Sequence, residues 1–127
     1  MEITSVSIQL ASSEPDRLRD FYRDIVQLAP DEMGDGSFKL GAGGTLFVVD
    51  HSEVSGATKE RARAIIDLHI TDIDGEHARL EAAGVNFTRC KGLEWWGGVI
   101  STFGDPDGNT IQLIQFKPEL ATANPEE

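Results

Sequence analysis

The feature that most restricts the fold is an order of predicted elements that occurs twice along the chain. Residues 1–50 contain a strand, a helix and three further strands, and residues 64–116 contain the same order. Neither half could bury its own sheet face and helix alone. We therefore predict one α+β domain of two βαβββ modules over residues 1–116. The remaining segments are a linker, 51–63, and a flexible C-terminal tail, 117–127.

The first module is predicted from one alternating segment, one amphipathic helix and three short strands. In Ile3–Ala11, apolar and small polar residues alternate with the period of a strand. Ser13 is the predicted cap of the helix, and Pro30 is predicted to end it. The predicted strands that follow are Asp31–Met33, Ser37–Leu40 and Thr45–Asp50.

The second module follows the same plan. Its helix is predicted over Ile73–Ala83, and Gly84 is predicted to end it. Lys91–Gly97 is predicted to be a loop, and it holds two adjacent tryptophans. The predicted strands of this module are Ile65–Thr71, Asn86–Cys90, Val99–Phe103 and Thr110–Phe116.

The charge balance restricts the partners of the protein. The sequence has 22 acidic and 11 basic residues, which gives a formal net charge of -11. A field of this sign repels phosphate backbones and anionic lipids, so we expect neither nucleic-acid binding nor membrane-surface binding. It favours a cationic partner, or else it serves only to keep the protein dissolved.

The location of the protein is predicted from features that the sequence lacks. Cys90 is the single cysteine, so no disulfide can form within the chain. The N-terminal residues contain no basic region followed by an apolar run, and no apolar stretch is long enough for a spanning helix. We therefore predict a cytoplasmic protein.

Three segments carry a family likeness: Phe21–Asp24, Arg79–Val85 and Phe103–Leu113. In this order they resemble the first helix, the end of the second helix and the closing hairpin of the vicinal oxygen chelate superfamily. This group contains glyoxalases, bleomycin-resistance proteins and extradiol dioxygenases, and the likeness covers Ile3–Phe116. It implies a curved mixed sheet around a pocket and a homodimer. It leaves several functions open, because lyases, dioxygenases, epimerases, thiol transferases and drug-binding proteins share this scaffold.

The resemblance also implies a divalent metal, held by side chains from four strand positions that are mostly histidine and glutamate. In this sequence the four positions fall on Ser5, Phe47, Ile65 and Gln112. Only Gln112 could donate even a neutral oxygen, whereas such cations prefer carboxylate and imidazole ligands. A shift of each position by one residue gives no better set. We therefore predict a site without a metal or another cofactor.

Two polar residues on one predicted strand form a candidate for chemistry. Asp67 and His69 are two residues apart, so both point to the same face as Ile65, which is the face expected to line the pocket. A carboxylate beside an imidazole could act as an acid/base pair or hold a cationic ligand. The alternatives are that both side chains are solvated at the rim or that they pair at a dimer contact.

Aromatic and apolar residues supply the rest of the predicted ligand site. Trp95 and Trp96 could stack on a flat ligand, although either one could also be ordinary core or interface packing. Phe47, Val49, Ile114 and Phe116 would add an apolar lining. The predicted ligand-binding residues are Ser5, Ser7, Phe47, Val49, Asp67, His69, Trp95, Trp96, Gln112 and Ile114.

Two functions of different class remain open at this point. The first is a metal-free protein that binds and sequesters a small, partly aromatic ligand, neutral or cationic, as in the bleomycin-resistance branch. The second is a lyase or dioxygenase of the same superfamily, either metal-dependent or using Asp67 and His69 as an acid/base pair. The missing metal ligands, the aromatic residues and the acidic charge favour the first.

Overall fold

A computed structural model describes residues 1–126 of the chain. It divides into two compact units, which we call the first unit (residues 1–58) and the second unit (from Lys59 onward). The division falls within the segment that the sequence predicts to be a linker. Each unit contains one sheet and one helical segment, so the α+β class is confirmed.

The first unit is a three-stranded mixed sheet with a helix on one face. The strand order is β1-β3-β2, in which β1 runs parallel to β3 and β2 runs antiparallel to it. Helix α1 continues without a break into a π-helical turn. The bounds are β1, Val6–Ser12; α1, Pro15–Asp20; the π-helical turn, Phe21–Val26; β2, Ser37–Leu40; and β3, Gly44–Asp50.

Both ends of the first helix differ from the prediction. Ser13 does not cap it, because β1 continues through Ser12, whose Oγ accepts a hydrogen bond from the Glu14 backbone N–H at 3.0 Å. The Ser13 hydroxyl accepts instead from the Gly56 N–H at 3.3 Å. At the other end, Gln27 adopts a left-handed conformation with φ of 65°, so the helical segment ends before the proline that was expected to end it.

The strand predicted over Asp31–Met33 does not form, so the first unit has two strands after its helix rather than three. Pro30 makes a single antiparallel bridge to Phe38. The chain then turns, because the Asp31 carboxylate accepts from the Met33 N–H at 3.3 Å. The following Gly34, with φ of 116°, completes a turn that a side chain would strain.

The core of the first unit lies between the helical segment and one face of its sheet. Leu18 and Tyr22 are buried on the helical side, and the Tyr22 ring lies 6.5 Å from that of Phe38 in β2. Leu46 and Val48 of β3 are buried on the same side. Their neighbours in β3 therefore point to the opposite face, since successive side chains alternate across a strand.

The second unit has the predicted order of a strand, a helix and three strands. Its sheet order is β4-β7-β6-β5, with β4 parallel to β7 and the other pairs antiparallel. The bounds are β4, Ile65–His69; α2, Ile73–Ala82; β5, Phe87–Leu93; β6, Gly98–Gly104; and β7, Thr110–Phe116. Asp72 caps α2 by accepting from the Gly75 N–H at 3.0 Å, and Gly84 follows its end with φ of 94°.

Strand β5 is longer than predicted and takes up part of the predicted loop Lys91–Gly97. It continues to Leu93 through two register shifts against β6, the second of which includes Lys91 with φ of 48°. The Ser101 hydroxyl accepts from the displaced Lys91 N–H at 3.1 Å. Hydrophobic alternation fails at such a bulge, which explains why the sequence pattern indicated a loop here.

The core of the second unit lies between α2 and the facing side of its sheet. Ile73, Leu80 and Ile111 are fully buried there. His77 is also buried, stacks on the Phe87 ring at 3.8 Å and makes a 2.7 Å hydrogen bond with Ser101. A polar side chain is tolerated in this core because its hydrogen bond is satisfied.

The segment after β7 makes specific contacts with the β5–β6 turn. The Lys117 N–H donates to the Gly97 carbonyl at 2.7 Å, and the Thr122 N–H donates to the Trp95 carbonyl at 2.6 Å. Between them, Pro118–Leu120 forms a 3₁₀ turn. The flexibility of residues 117–127 stays a prediction, and Glu127 lies outside the described residues. None of the helices in residues 1–126 is long and apolar enough to cross a membrane.

Candidate functional site

The candidate site lies on the sheet face of the second unit that is opposite α2, which we call the distal face. Ser101 contacts His77, and the Gln115 side chain accepts from the Ile73 N–H at 2.9 Å, so both face the helix. Their strand neighbours Thr102 and Ile114 therefore lie on the distal face. This face carries polar, apolar and aromatic groups in successive rows across the strands.

The first of these is a polar row formed by Asp67, Gln112 and Thr102, which are directly paired across β4, β7 and β6. The Gln112 Nε2–H donates to Asp67 Oδ1 at 2.8 Å. The Thr102 hydroxyl donates to Gln112 Oε1 at 3.1 Å. Both atoms of the Gln112 amide group are therefore engaged within the row.

Arg89 pairs with Thr102 and would extend the polar row, but its guanidinium is directed elsewhere. The side chain lies over Gly92, where an added Cβ would overlap it. Its Nη2–H donates to Glu94 Oε1 at 2.8 Å, and both side chains are about one-third exposed. The positive charge is thus paired with Glu94, and the negative charge of Asp67 stays at the other end of the row.

An apolar row follows on the same strands. His69, Ile114 and Ile100 are directly paired across β4, β7 and β6. The two isoleucines are only 6–7% exposed, whereas His69 is exposed. Asp67 and His69 therefore do share a face, as their spacing predicts, and they belong to neighbouring rows.

An aromatic pair, which we call the shelf, lies beyond the apolar row. The rings of Trp96 and Phe116 stack with centroids 6.4 Å apart and an angle of 27° between their planes. Trp96 is 36% exposed and Phe116 is 59% exposed. The six-membered ring of the indole lies over Gly98, where an added Cβ would overlap it. Flat, accessible aromatic faces of this kind can stack on a planar ligand.

The first unit places the remaining predicted site residues on the face opposite its helix. Ser7, Phe47 and Val49 lie on this face because Leu46 and Val48 face the core. Ser5 precedes β1 and lines an open groove of about 300 Å³. The other groove residues are Thr4, Asp31, Lys39, Gly41, Ala42, Gly43, Gly44 and Thr45.

The structure brings together some of the predicted residues and adds others. Asp67 and Gln112 are hydrogen-bonded, and Trp96 stacks on Phe116. Trp95 is 41% exposed, and its backbone carbonyl accepts from Thr122. Sequence reasoning missed Thr102. Strand β6 has two adjacent polar residues, Ser101 and Thr102, and the signal that could have separated them is their phase, because Thr102 alternates with the apolar Phe103 while Ser101 shares its phase.

The residues present do not fit the metal site that the fold implies. Ser5 lies outside β1, Phe47 and Ile65 offer no ligand atom, and the Gln112 amide oxygen already accepts from Thr102. In residues 1–126, no three His, Cys, Asp or Glu side chains are grouped so that they could hold a metal ion. Binding without a metal stays a prediction, and we derive no chemical step through one.

A serine, a histidine and a glutamate in the second unit superficially resemble a hydrolytic triad. His77 Nδ1 lies 2.7 Å from Ser101 Oγ, and its Nε2 lies 3.7 Å from Glu81 Oε2. Ser101 is completely buried between α2 and the sheet. A nucleophile must reach its substrate, so this cluster serves packing and the β5 bulge rather than catalysis.

A family model described as Glyoxalase/Bleomycin resistance protein/Dioxygenase superfamily matches residues 4–113. The chain belongs to this superfamily. Similar solved structures of other proteins come from several organisms. A superfamily protein from Nocardioides is 18% identical with a TM-score of 0.74, and the match covers 100% of this chain and 90% of that one. An integron cassette protein from V. cholerae is 16% identical with a TM-score of 0.70, and the match covers 92% and 98%.

Another similar solved structure is that of a binding protein. TnmS3, an antibiotic binding protein from Streptomyces sp. CB03234, is 28% identical with a TM-score of 0.69, and the match covers 92% of this chain and 99% of that one. A search of curated proteins found no match.

Proposed function

We propose that this superfamily member binds and sequesters a small, partly aromatic molecule on the distal face of its second unit. The observation that carries the proposal is the arrangement of that face. An accessible aromatic shelf, a row with buried isoleucines and an oriented polar row follow one another on the same strands. Small-molecule sites typically combine such apolar and aromatic surface with a few placed polar groups.

Three further points support a binding function. The four positions at which the fold would hold a metal carry Ser5, Phe47, Ile65 and Gln112, which is an unsuitable set of ligands. TnmS3, the similar protein named above, is an antibiotic binding protein. The net charge of -11 also suits a ligand that carries a positive group.

The test is a panel of planar aromatic compounds, scored by tryptophan fluorescence quenching and by the rise in melting temperature. A ligand at 100 times its Kd stabilises the folded state by about 2.7 kcal/mol. We expect Phe116→Ala to weaken binding by about 1–3 kcal/mol, because the variant loses both the apolar area of the ring and its stacking. Phe21→Ala, on the helix of the first unit, is the control. Equal affinity in the wild type and Phe116→Ala would contradict the proposal.

The alternative is an enzyme that uses Asp67 and His69. It is favoured by one observation, the exposed imidazole of His69 in the row beside Asp67. His69→Ala separates the two functions, because a binding protein should keep its affinity within a few fold. Loss of a measurable turnover in His69→Ala would instead support the enzyme. Elemental analysis of protein prepared without chelator, with near-stoichiometric metal, would support a metal-dependent lyase or dioxygenase.

We also propose that the protein forms a homodimer. Strands β1 and β4 are terminal in their sheets, so each has an edge without a strand partner within residues 1–126. Both edges carry exposed apolar residues, Val6 at 57% and Ile65 at 45%. Exposed edges of this kind invite pairing with another chain. Sedimentation measurements would test the dimer, and a monomer at all concentrations would contradict it. The cytoplasmic location stays a prediction.

A further inference from the structure

The polar row has a fixed direction. An ionised carboxylate can only accept hydrogen bonds, so the Gln112 group that faces Asp67 at 2.8 Å must be the amide nitrogen. The amide oxygen must then face Thr102, whose hydroxyl must donate across the 3.1 Å contact. The row therefore donates from Thr102 to Gln112 and from Gln112 to Asp67, and it ends in an acceptor.

The charges around the row add to this direction. Arg89 lies next to Thr102, at the donor end, and its guanidinium is paired with Glu94 at 2.8 Å. Asp67 is exposed at the opposite end of the row. A molecule that approaches this end meets a negative group that accepts hydrogen bonds. A cationic nitrogen suits this end, and an anionic group is repelled.

The strand geometry sets the distance between this acceptor and the shelf. Gln112 and Phe116 both lie in β7 and are four residues apart. A strand rises ~3.4 Å per residue, so the polar row and the shelf are separated by ~14 Å. Ile114 lies between them on the same face.

We propose, on the basis of the proposed function, that the distal face selects aromatic amines. The aromatic ring stacks on the shelf of Trp96 and Phe116, and a flexible apolar chain spans the distance from the shelf to the polar row. A protonated amine at the far end donates to the carboxylate of Asp67. Thr102 is a positioning residue in this arrangement, because it orients Gln112 and, through it, Asp67.

The test uses three dansyl compounds, which have the same naphthalene ring system and alkyl chains of similar length. Dansylcadaverine ends in an ammonium group, dansyl pentylamide has a neutral end, and dansyl-aminohexanoate ends in a carboxylate. Fluorescence anisotropy with the full chain gives the three values of Kd. We expect the ammonium compound to bind about tenfold more tightly than the neutral one, since hydrogen bonds to charged groups contribute about 1.5–3 kcal/mol. The carboxylate should bind most weakly.

Asp67→Asn then tests the acceptor. The asparagine oxygen still accepts from Gln112, so the variant should fold while it loses the charge. We expect the affinity for the ammonium compound to fall to that for the neutral compound. The affinity for the neutral compound should not change. Glu81→Gln, in α2 on the opposite side of the same sheet, removes one negative charge from an exposed side chain and should change neither value.

Thr102→Val and Thr102→Ser test the direction of the row. The valine variant lacks the donor and should bind the ammonium compound severalfold more weakly. The serine variant keeps the hydroxyl and should bind it like the wild type. In an Asp67→Asn background, Thr102→Val should have no effect on this compound. If Thr102 had a merely structural role, Thr102→Val would bind all three compounds more weakly and to the same extent. That result would overturn the positioning role.

The outcomes separate this proposal from the proposed function. Equal binding of the three compounds to the wild type, with loss in Phe116→Ala, would keep the binding function and overturn the selection of amines. Tighter binding of the ammonium compound that survives in Asp67→Asn would overturn the role of Asp67. If none of the three compounds binds, the selection of aromatic amines is overturned, and the panel of planar aromatic compounds separately decides the binding function.

Discussion

The two units share an order of elements, but they differ in how completely their sheets are built. The first unit has three strands, and the segment that should have supplied a fourth makes one bridge at Pro30 and then turns. The second unit has four strands, and its distal face is linked across three of them by hydrogen bonds between side chains. Width alone does not explain this difference, because the polar row uses three strands and the first unit also has three. In the first unit Phe47 pairs with Gln9 on one side and with Ser37 on the other, so an aromatic ring separates the two polar side chains. The same plan therefore supports an ordered polar row only where each paired position carries a polar side chain.

The largest expected difference between the units concerns two serines, both completely buried. Ser101 in the second unit accepts from the Lys91 N–H and bonds to buried His77, whereas Ser12 in the first unit accepts only from the Glu14 N–H among the contacts described. We expect Ser101→Ala to reduce the free energy of unfolding by about 2–3 kcal/mol and Ser12→Ala by about 1 kcal/mol. Urea denaturation measures both. Equal losses would mean that the His77 contact adds nothing to stability.

A smaller effect is expected from a pair of glycines. Gly98→Ala places a methyl group in the space of the Trp96 indole, whereas Gly43→Ala in the first unit meets no atom within 4 Å. Because the indole is partly exposed and can move, we expect a loss of about 1 kcal/mol for Gly98→Ala, at the low end for overpacking. The same change should shift the tryptophan emission and weaken binding of an aromatic ligand. Unaltered emission would show that the shelf does not depend on this glycine.

The smallest expected effect depends on pH. The pKa of Asp74 lies below its ordinary 3.8, chiefly because Lys117 donates a hydrogen bond to its carboxylate and carries a positive charge. Lys91 adds to both effects. A lowered pKa in the folded state gives stability that is present above pH 3.8 and is lost as the pH falls below it. We expect Asp74→Asn to lower the urea midpoint slightly at neutral pH, with the difference from wild type shrinking in acid.

The first unit supplies the control for this pH dependence. The pKa of Asp24 is lowered by a hydrogen bond from Arg23, its neighbour in sequence. This contact can persist in the unfolded chain, whereas Asp74 and Lys117 are 43 residues apart and meet only when the unit folds. Asp24→Asn should therefore leave the acid dependence of stability nearly unchanged. An effect as large as that of Asp74→Asn would contradict this reasoning.

The sequence predicted features that repeat with a fixed period. Alternation placed Asp67 and His69 on one face, and the spacing of apolar residues predicted α2 to within one residue of its end. The start of the first helix was missed because Ser12 and Ser13 are both suitable caps, and the competing contact to Gly56 depends on tertiary structure. Its end was missed because the left-handed Gln27 has no distinctive sequence signal.

The polar row could not be predicted, because it depends on strand register. Sequence reasoning identified Asp67 and Gln112 as separate candidates, but only the pairing of β4 with β7 places them side by side. Thr102 joins them because it pairs with Gln112 in the register between β6 and β7. The bulge in β5 does not disturb this register. Registers between strands far apart in sequence are set by the packed sheet as a whole, which no local pattern encodes.

Each register shift in β5 changes the face of the sheet to which the following side chains point. In a regular strand Phe87 and Arg89 would share a face, yet Phe87 packs on His77 in the core while Arg89 pairs with Thr102 on the distal face. Without the shift, the guanidinium would enter the core, where an unpaired charge is costly. One strand can therefore supply an aromatic core residue and a surface cation only two positions apart. Deletion of a single residue between Phe87 and Gly92 would exchange the faces of the residues on one side of it.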